Sequence, residues 1–414
     1  MGKTITEKIL ARVSGQSEVT PGEVVWVVPD VIGAKVFPAL NNTPDLETFG
    51  ATKLKNPKNT YVSVDTGIPP RSSADEELHI RTRNWCQKHG ANSYERFAIS
   101  LISFIDFGLI RPGMFLAHHD TMITAVGGIG ALAIGTLPIP ELYTRGKTWV
   151  KVPTTIRCNI WGNCPKGIMG RDIMHMIAGQ IGPDGAVYKV LEFGGPTVSE
   201  MSIDERITIC NMGNHVGVKT AIVNPDEKTL EYVRDITTKP FEAVTSDPDS
   251  VYEKILDFDI SNMEPYVAAP PTVNNCKPLR EVEGTPVHAG YIGSCAGGRL
   301  ADLRAAATVL QGRRVHPEVK LYIVPSSHRI MEIAGREGLL QIFIEAGALV
   351  LPPTCDFCVG YLGALSSGET AITTGVLNTP GRMGSNEADI FLANAYSIAA
   401  STIEGKIVDP RKYL

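Results

Sequence analysis

The chain has no run of basic residues and no interleaving of aromatic with basic side chains, and its net charge is -5 over 414 residues. With nothing to track a phosphate backbone, a nucleic acid is excluded as the expected partner. Long apolar runs are also missing. The longest uncharged stretch, Thr121 to Pro140, is broken by Gly127, Gly128, Gly130 and Gly135 and ends in prolines, so it reads as a glycine-rich turn and short buried helix, not a membrane span. No Gly-Lys-Ser/Thr follows those glycines, which argues against a nucleotide loop. Met1 to Lys8 carries charges with no apolar segment behind them, unlike a secretory signal. No solenoid-period repeat and no low-complexity tract is present.

What is present is the composition of a soluble globular chain, 43% hydrophobic and 20% charged, long enough for two or three domains. Eight cysteines without a secretory segment point to a reducing, cytoplasmic compartment and to metal or cluster ligation before disulfides. Cys295, in Gly293-Ser294-Cys295, and the pair Cys355 and Cys358, in Cys355-Asp356-Phe357-Cys358, offer three thiolates and no obvious fourth. A structural zinc site wants four ligands, whereas a cubane cluster held by three cysteines leaves one iron open. By itself the Cys-x-x-Cys leaves a redox pair or part of a zinc site equally open.

Strand-length apolar runs alternate with helical patterns, which predicts an α/β class with parallel sheets. Val24 to Val28, Tyr61 to Val64 and Phe115 to Ala117 read as strands, the last running into His118-His119-Asp120, and Ala74 to Lys88 reads as a helix. Later come a helix at Ala301 to Leu310, a strand at Val319 to Val324, helical segments at His328 to Gly338 and Ile342 to Ala346, and a strand at Ala348 to Leu351. The cysteine pair follows that last strand at once, on a loop beyond a carboxyl end, where ligands of parallel sheets collect. A composition change near Thr148 and a proline-rich stretch, Glu264 to Pro278, that reads as a linker divide the chain into subdomains 1–148, 149–286 and 287–414.

A series of phrases then follows in order: Pro112-Gly113, Gly127-Gly128-Ile129-Gly130, Arg171-Asp172-Ile173, Leu191-Glu192-Phe193-Gly194-Gly195, Cys210-Asn211-Met212, Ile292-Gly293-Ser294-Cys295, Gly298-Arg299-Leu300-Ala301-Asp302, and Gly381-Arg382-Met383-Gly384. With them the chain resembles the large subunit of the aconitase superfamily, in the two-subunit branch of isopropylmalate and homoaconitate dehydratases. That resemblance implies an aconitase iron-sulfur-type fold of three α/β subdomains around a cluster site, with a 4Fe-4S cluster held by Cys295, Cys355 and Cys358. It also implies hydro-lyase activity on a small hydroxy acid, and a small partner subunit carrying the swivelling domain that supplies the base.

The sequence departs from the family at several positions. The family's Asp-Ser-His-Thr falls on Asp120-Thr121-Met122-Ile123, its Asp-His on Asp65-Thr66, and a further histidine on Leu101. Its Asn-Arg-Asn-Phe-x-Gly-Arg reads Val376-Leu377-Asn378-Thr379-Pro380-Gly381-Arg382, a glutamate is replaced by His215 while Asn211 stays, and an asparagine is replaced by Gly297. Loss of an arginine at Leu377 removes a bidentate carboxylate clamp, and loss of histidines removes proton routes. Asp65, His118, His119, Asp120 and His215 are therefore the candidate catalytic groups, the imidazoles being expected to titrate near neutral pH, and Thr121, Asn211, Asn378 and Arg382 the candidate substrate-binding groups. The expected substrate differs from isopropylmalate. An ordinary 3-isopropylmalate dehydratase large subunit and a non-catalytic iron-sulfur or redox-sensing protein are the alternatives.

Overall fold

The computed structural model describes residues 2–36, 42–95, 97–135 and 137–414. Its architecture is mixed α/β with three largely parallel sheets, each assembled from one portion of the chain. The first sheet is all parallel, in the spatial order Asn92–Glu95, Thr60–Val64, Val31–Val36, Phe115–Ala117, Leu132–Ile134. The chain winds outward from Val31–Val36 in one direction, then returns to start the other half at Phe115–Ala117. Between those two strands lies the switch point, where diverging connections leave a crevice at the carboxyl ends. Lys35 stands at the end of one strand, Asp65 just beyond its neighbour, and His118 just beyond the other.

The second sheet is also parallel, in the order Thr220–Val223, Val190–Gly194, Thr155–Trp161, Lys254–Asp259. The third has a parallel centre in the order Asp389–Leu392, Thr370–Thr373, Ala289–Ile292, Lys320–Ile323, Leu349–Val350. Tyr266–Ala268 and Cys276–Pro278 extend it as an antiparallel edge. The linker expected at Glu264 to Pro278 is thus corrected, since Pro265, Pro270 and Pro271 flank and Pro278 ends two edge strands, where a missing backbone donor is tolerated. Val24–Val27 pairs antiparallel with Thr148–Lys151 in a separate ribbon, so the composition change at Thr148 falls inside a strand that pairs back onto the first portion of the chain.

The expected elements appear close to their reading, with Ser73–His89, Leu300–Leu310, His328–Arg336 and Leu339–Ala346 as helices. Ser327 caps His328–Arg336 by accepting the Ile330 N–H. The strand Val31–Val36 was not anticipated, because the lysine and glycine within it mask its apolar run. The glycine-rich stretch forms a 3-10 turn, Thr121–Ile129, pressed on the helix Ile203–Met212; Thr136, further along, lies outside the described residues. One apolar core runs through all three portions and contains Cys295, Cys355 and Cys358. Among the described residues no helix is long and apolar enough to cross a membrane.

Candidate metal centre

All three cysteines leave carboxyl ends of the third sheet. Cys295 follows Ala289–Ile292 by way of Ser294, whose φ of 76° is a left-handed conformation unusual for a residue with a side chain. Ser294 is held there by its hydroxyl, which donates to the Thr374 carbonyl at 2.8 Å and accepts the Ala296 N–H. From the second portion of the chain, Arg171 fastens the same turn by donating to the carbonyls of Ala296, Thr374 and Gly375 at 2.6 to 2.9 Å. The loop carrying Cys355 and Cys358 is stitched to the first sheet. The Cys355 N–H donates to the Asp65 carbonyl at 2.7 Å, and the Asp356 carboxylate accepts the N–H groups of Gly67 and Ile68.

Cys355 and Cys358 meet through their sulfurs, and both are buried, as is Cys295. Tyr291, on the strand leading to Cys295, stacks on Phe357 and lies within electrostatic reach of all three thiols. Burial pushes the Cys295 thiol up to about 12, reinforced by Cys358 and Asp120, because an uncompensated thiolate there would be desolvated beside like charge. The hydrogen bond from Cys355, aided by Arg382, pulls Cys358 well below the ordinary thiol range. Arg382 donates to its sulfur at 3.4 Å.

Two observations fit these residues to a cluster. Three residues in reach of the thiols have buried polar atoms without hydrogen-bond partners, Asn211 Oδ1, the Tyr291 hydroxyl and Arg382 Nε, and orphans gathered in this way mark a place built for something further. The donor set is also right: three soft thiols, buried and close enough to feel one another, need a metal's positive charge to ionise together. Among the described residues no group of His, Cys, Asp or Glu could hold a metal ion at one point. A cluster presents a separate iron to each sulfur, so it does not ask three thiolates to converge on a single ion.

Asp65, Asp120, Asn211 and Arg382 all reach this place. Asp65 is buried, accepts the Ser100 N–H at 2.8 Å and pairs with Lys35 at 3.1 Å; Asp120 acts electrostatically on Cys295, Lys35 and Asp65. Asn211 donates to the Met122 carbonyl at 2.9 Å and contacts Cys295. Asn378 donates instead to the carbonyls of Ala268 and Ala269, tying its loop to the edge strand. Thr121 is exposed, and its carbonyl accepts from Asn214.

The three candidate histidines are all buried or largely so. Burial lowers the pKa of His118, His119 and His215 from the ordinary imidazole range, the last to about 4, which favours the neutral ring over the charged one. Their tautomers follow from their partners. His118 Nδ1 accepts the Asp120 N–H at 2.9 Å, leaving its proton on Nε2, and stacks on His119 at 4.6 Å. His215 Nε2 donates to the Val376 carbonyl at 2.9 Å, leaving Nδ1 an open acceptor, and the ring stacks with His175 at 6.2 Å. His118 is a neutral donor and His215 a neutral acceptor.

The residues not foreseen are Lys35, Tyr291 and Arg171. Two of them had a signal: Lys35 is a lone charge in the apolar run Val31-Ile32-Gly33-Ala34-Lys35-Val36, and Tyr291 the one hydroxyl in Ala289-Gly290-Tyr291-Ile292.

The comparisons bear on the family and the fold. The family model described as "Aconitase family (aconitate hydratase)" matches residues 87–283 and 276–405. The chain is 38% identical over its whole length, and over the whole of that protein, to the 3-isopropylmalate dehydratase large subunit 1 of Methanopyrus kandleri. It is 35% identical to the probable methanogen homoaconitase large subunit of Methanothermobacter thermautotrophicus, covering 99% of this chain and 97% of that one. Among solved structures, aconitase X of Thermococcus kodakaraensis shares the fold at a TM-score of 0.51 and 12% identity, over 90% of this chain and 89% of that one. A family model matched over most of the chain, and full-length identity of 35–38% to those large subunits, make this chain a member of the aconitase family.

Proposed function

We propose that this chain is the cluster-bearing large subunit of a two-protein, 4Fe-4S-dependent hydro-lyase, acting in the reducing cytoplasm on a small hydroxy acid other than isopropylmalate. The cluster would be held by Cys295, Cys355 and Cys358, and when bound it would supply an open iron as a Lewis acid toward a substrate hydroxyl. The chain's own groups then set what enters. Arg382 offers a guanidinium whose Nε has no partner and whose charge suits a carboxylate, and Asn211 and Tyr291 add an unused acceptor and an unused hydroxyl. His118 presents a neutral Nε2–H and Asp120 a carboxylate beside Cys295.

The observation that carries the substrate reading is apolar packing where the family has ionic or imidazole side chains. Leu101 is buried in the helix Ser100–Asp106, and Met122 and Leu377 pack against the central core. With one carboxylate clamp fewer, the site favours a substrate with fewer or differently placed carboxylates. An ordinary isopropylmalate dehydratase is the second reading, favoured by full-length identity to proteins of that name. A cluster protein that senses iron or redox state is the remaining alternative.

Anaerobic reconstitution of the chain, alone and with a candidate small subunit, followed by a screen of 2- and 3-hydroxy acids, tests the proposal. The expected result is iron and sulfide uptake that Cys295→Ser, Cys355→Ser and Cys358→Ser each abolish and the exposed Cys164→Ser spares, with turnover only in the two-protein complex. Preferred turnover of isopropylmalate would replace the substrate reading by the ordinary one. A stable cluster without turnover of any acid would favour the sensor.

A further inference from the structure

Lys35 lies in a strand whose six residues are all buried. An ammonium in such surroundings persists only with anionic partners. Its Nζ stands 3.1 Å from Asp65 Oδ1 and 3.5 Å from the Cys355 sulfur. Asp65 fixes the other side of the same cysteine, since its carbonyl accepts the Cys355 N–H at 2.7 Å and the Thr354 hydroxyl at 3.2 Å. Ammonium, carboxylate and cysteine thus form a closed ring: Asp65 holds the cation with its side chain and the sulfur-bearing loop with its backbone. Ser100 completes the frame by donating its N–H to the free side of the carboxylate.

We propose that Lys35 is a positioning residue for the cluster, donating an N–H···S hydrogen bond to the Cys355 thiolate and placing one buried positive charge against the cluster. This rests on the reading of Cys295, Cys355 and Cys358 as its ligands. A positive charge at that distance, in a site closed to water, stabilises the more negative, reduced form of a cluster and so raises its reduction potential. It also holds the thiolate against protonation and loss of iron. The arrangement is lopsided: Lys35 serves Cys355 and Arg382 serves Cys358, while Cys295 has the amide of Asn211. Positive charge is therefore concentrated beside the sulfurs of the Cys-x-x-Cys pair. Asp65 is then not a free base but the counter-ion that keeps the ammonium in place.

The test compares the reconstituted wild type with Lys35→Met, Lys35→Arg and the double variant Lys35→Met with Asp65→Asn, which strands no charge. The readouts are iron and sulfide per chain, the midpoint potential by spectroscopically monitored titration, and the rate of cluster bleaching in air. Lys35→Met is expected to have a lower potential and to bleach about tenfold faster, the scale of one charge-assisted hydrogen bond. Lys35→Arg should recover most of both properties. If Lys35→Met fails to fold, the double variant decides: it loses the N–H···S hydrogen bond and should still bleach faster, with a smaller drop in potential because the Asp65 charge leaves with the ammonium. Wild-type potential and bleaching in the Met-containing variants would overturn the inference and leave Lys35–Asp65 a structural ion pair. Absence of iron and sulfide in the wild type would instead sink the cluster reading itself, and this inference with it.

Discussion

Asp302 is buried at the start of the helix Leu300–Leu310, where its carboxylate accepts the Arg299 N–H at 3.2 Å. Burial pushes its pKa up to about 7, with Arg171 pulling in the opposite direction. The folded protein therefore binds this proton more tightly than the unfolded chain does. Stability from this group is complete below the unfolded value of 3.8 and is lost as pH rises through about 7. Asn in its place keeps an acceptor for the cap and has no proton to lose. We expect the stability difference between wild type and Asp302→Asn to change by on the order of 3 kcal/mol in the variant's favour between about pH 4.5 and pH 8. Urea unfolding at both pH values measures it, and parallel pH profiles for the two proteins would refute the assignment.

The glycine-rich turn shows what the pattern of an element does and does not reveal. Gly127, Gly128, Gly130 and Gly135 mark a turn plainly, but their purpose is set by what packs on them. A Cβ at Gly128 would lie 2.4 Å from the Ile207 nitrogen and 2.6 Å from its Cα, and one at Gly127 would strike the Ala221 carbonyl. The missing side chains let a helix and a strand of the second sheet approach the turn backbone to backbone. Ile203–Met212 carries Asn211 toward Cys295, so this contact also positions the site. Gly128→Ala is expected to destabilise the protein by about 2–3 kcal/mol, since backbone and not a flexible side chain must move. It should also lower cluster uptake, with Asn211 displaced; thermal unfolding and iron analysis check the two effects, and a variant of wild-type stability would show that the helix yields without cost. Strands such as Thr60–Val64 and Lys320–Ile323, with no charge inside the apolar stretch, were legible for the same local reason that Val31–Val36 was not. Its charge belongs to a tertiary ion pair, and no local pattern announces a partner thirty residues away.

At the scale of the whole molecule, the cysteine trio was legible because thiols announce metal chemistry by type and spacing. The links that bring the three portions of the chain together were not, because they join residues distant in sequence. Arg299 is the clearest of them. It leaves the loop after Cys295 and is completely buried. Its guanidinium donates to both oxygens of Asp106 at 2.9 Å, to Asp204 at 3.0 Å and to the Tyr232 hydroxyl at 2.7 Å. Asp106 ends a helix of the first portion, whereas Asp204 and Tyr232 belong to helices of the second. One side chain therefore satisfies acceptors from both other portions while fixed to the cysteine loop. A methionine of similar length fills the space but leaves the Asp106 carboxylate buried and unpaired, so Arg299→Met is expected to cost about 3–5 kcal/mol. Adding Asp106→Asn removes the stranded charge and should recover a substantial part of that loss, because most of the penalty belongs to the orphaned carboxylate and not to the missing attraction. Urea unfolding of the wild type, both single variants and the double variant measures the coupling. If the two single losses simply add, the guanidinium and carboxylate act independently, and the three portions must be held in register by their shared apolar core without this clamp.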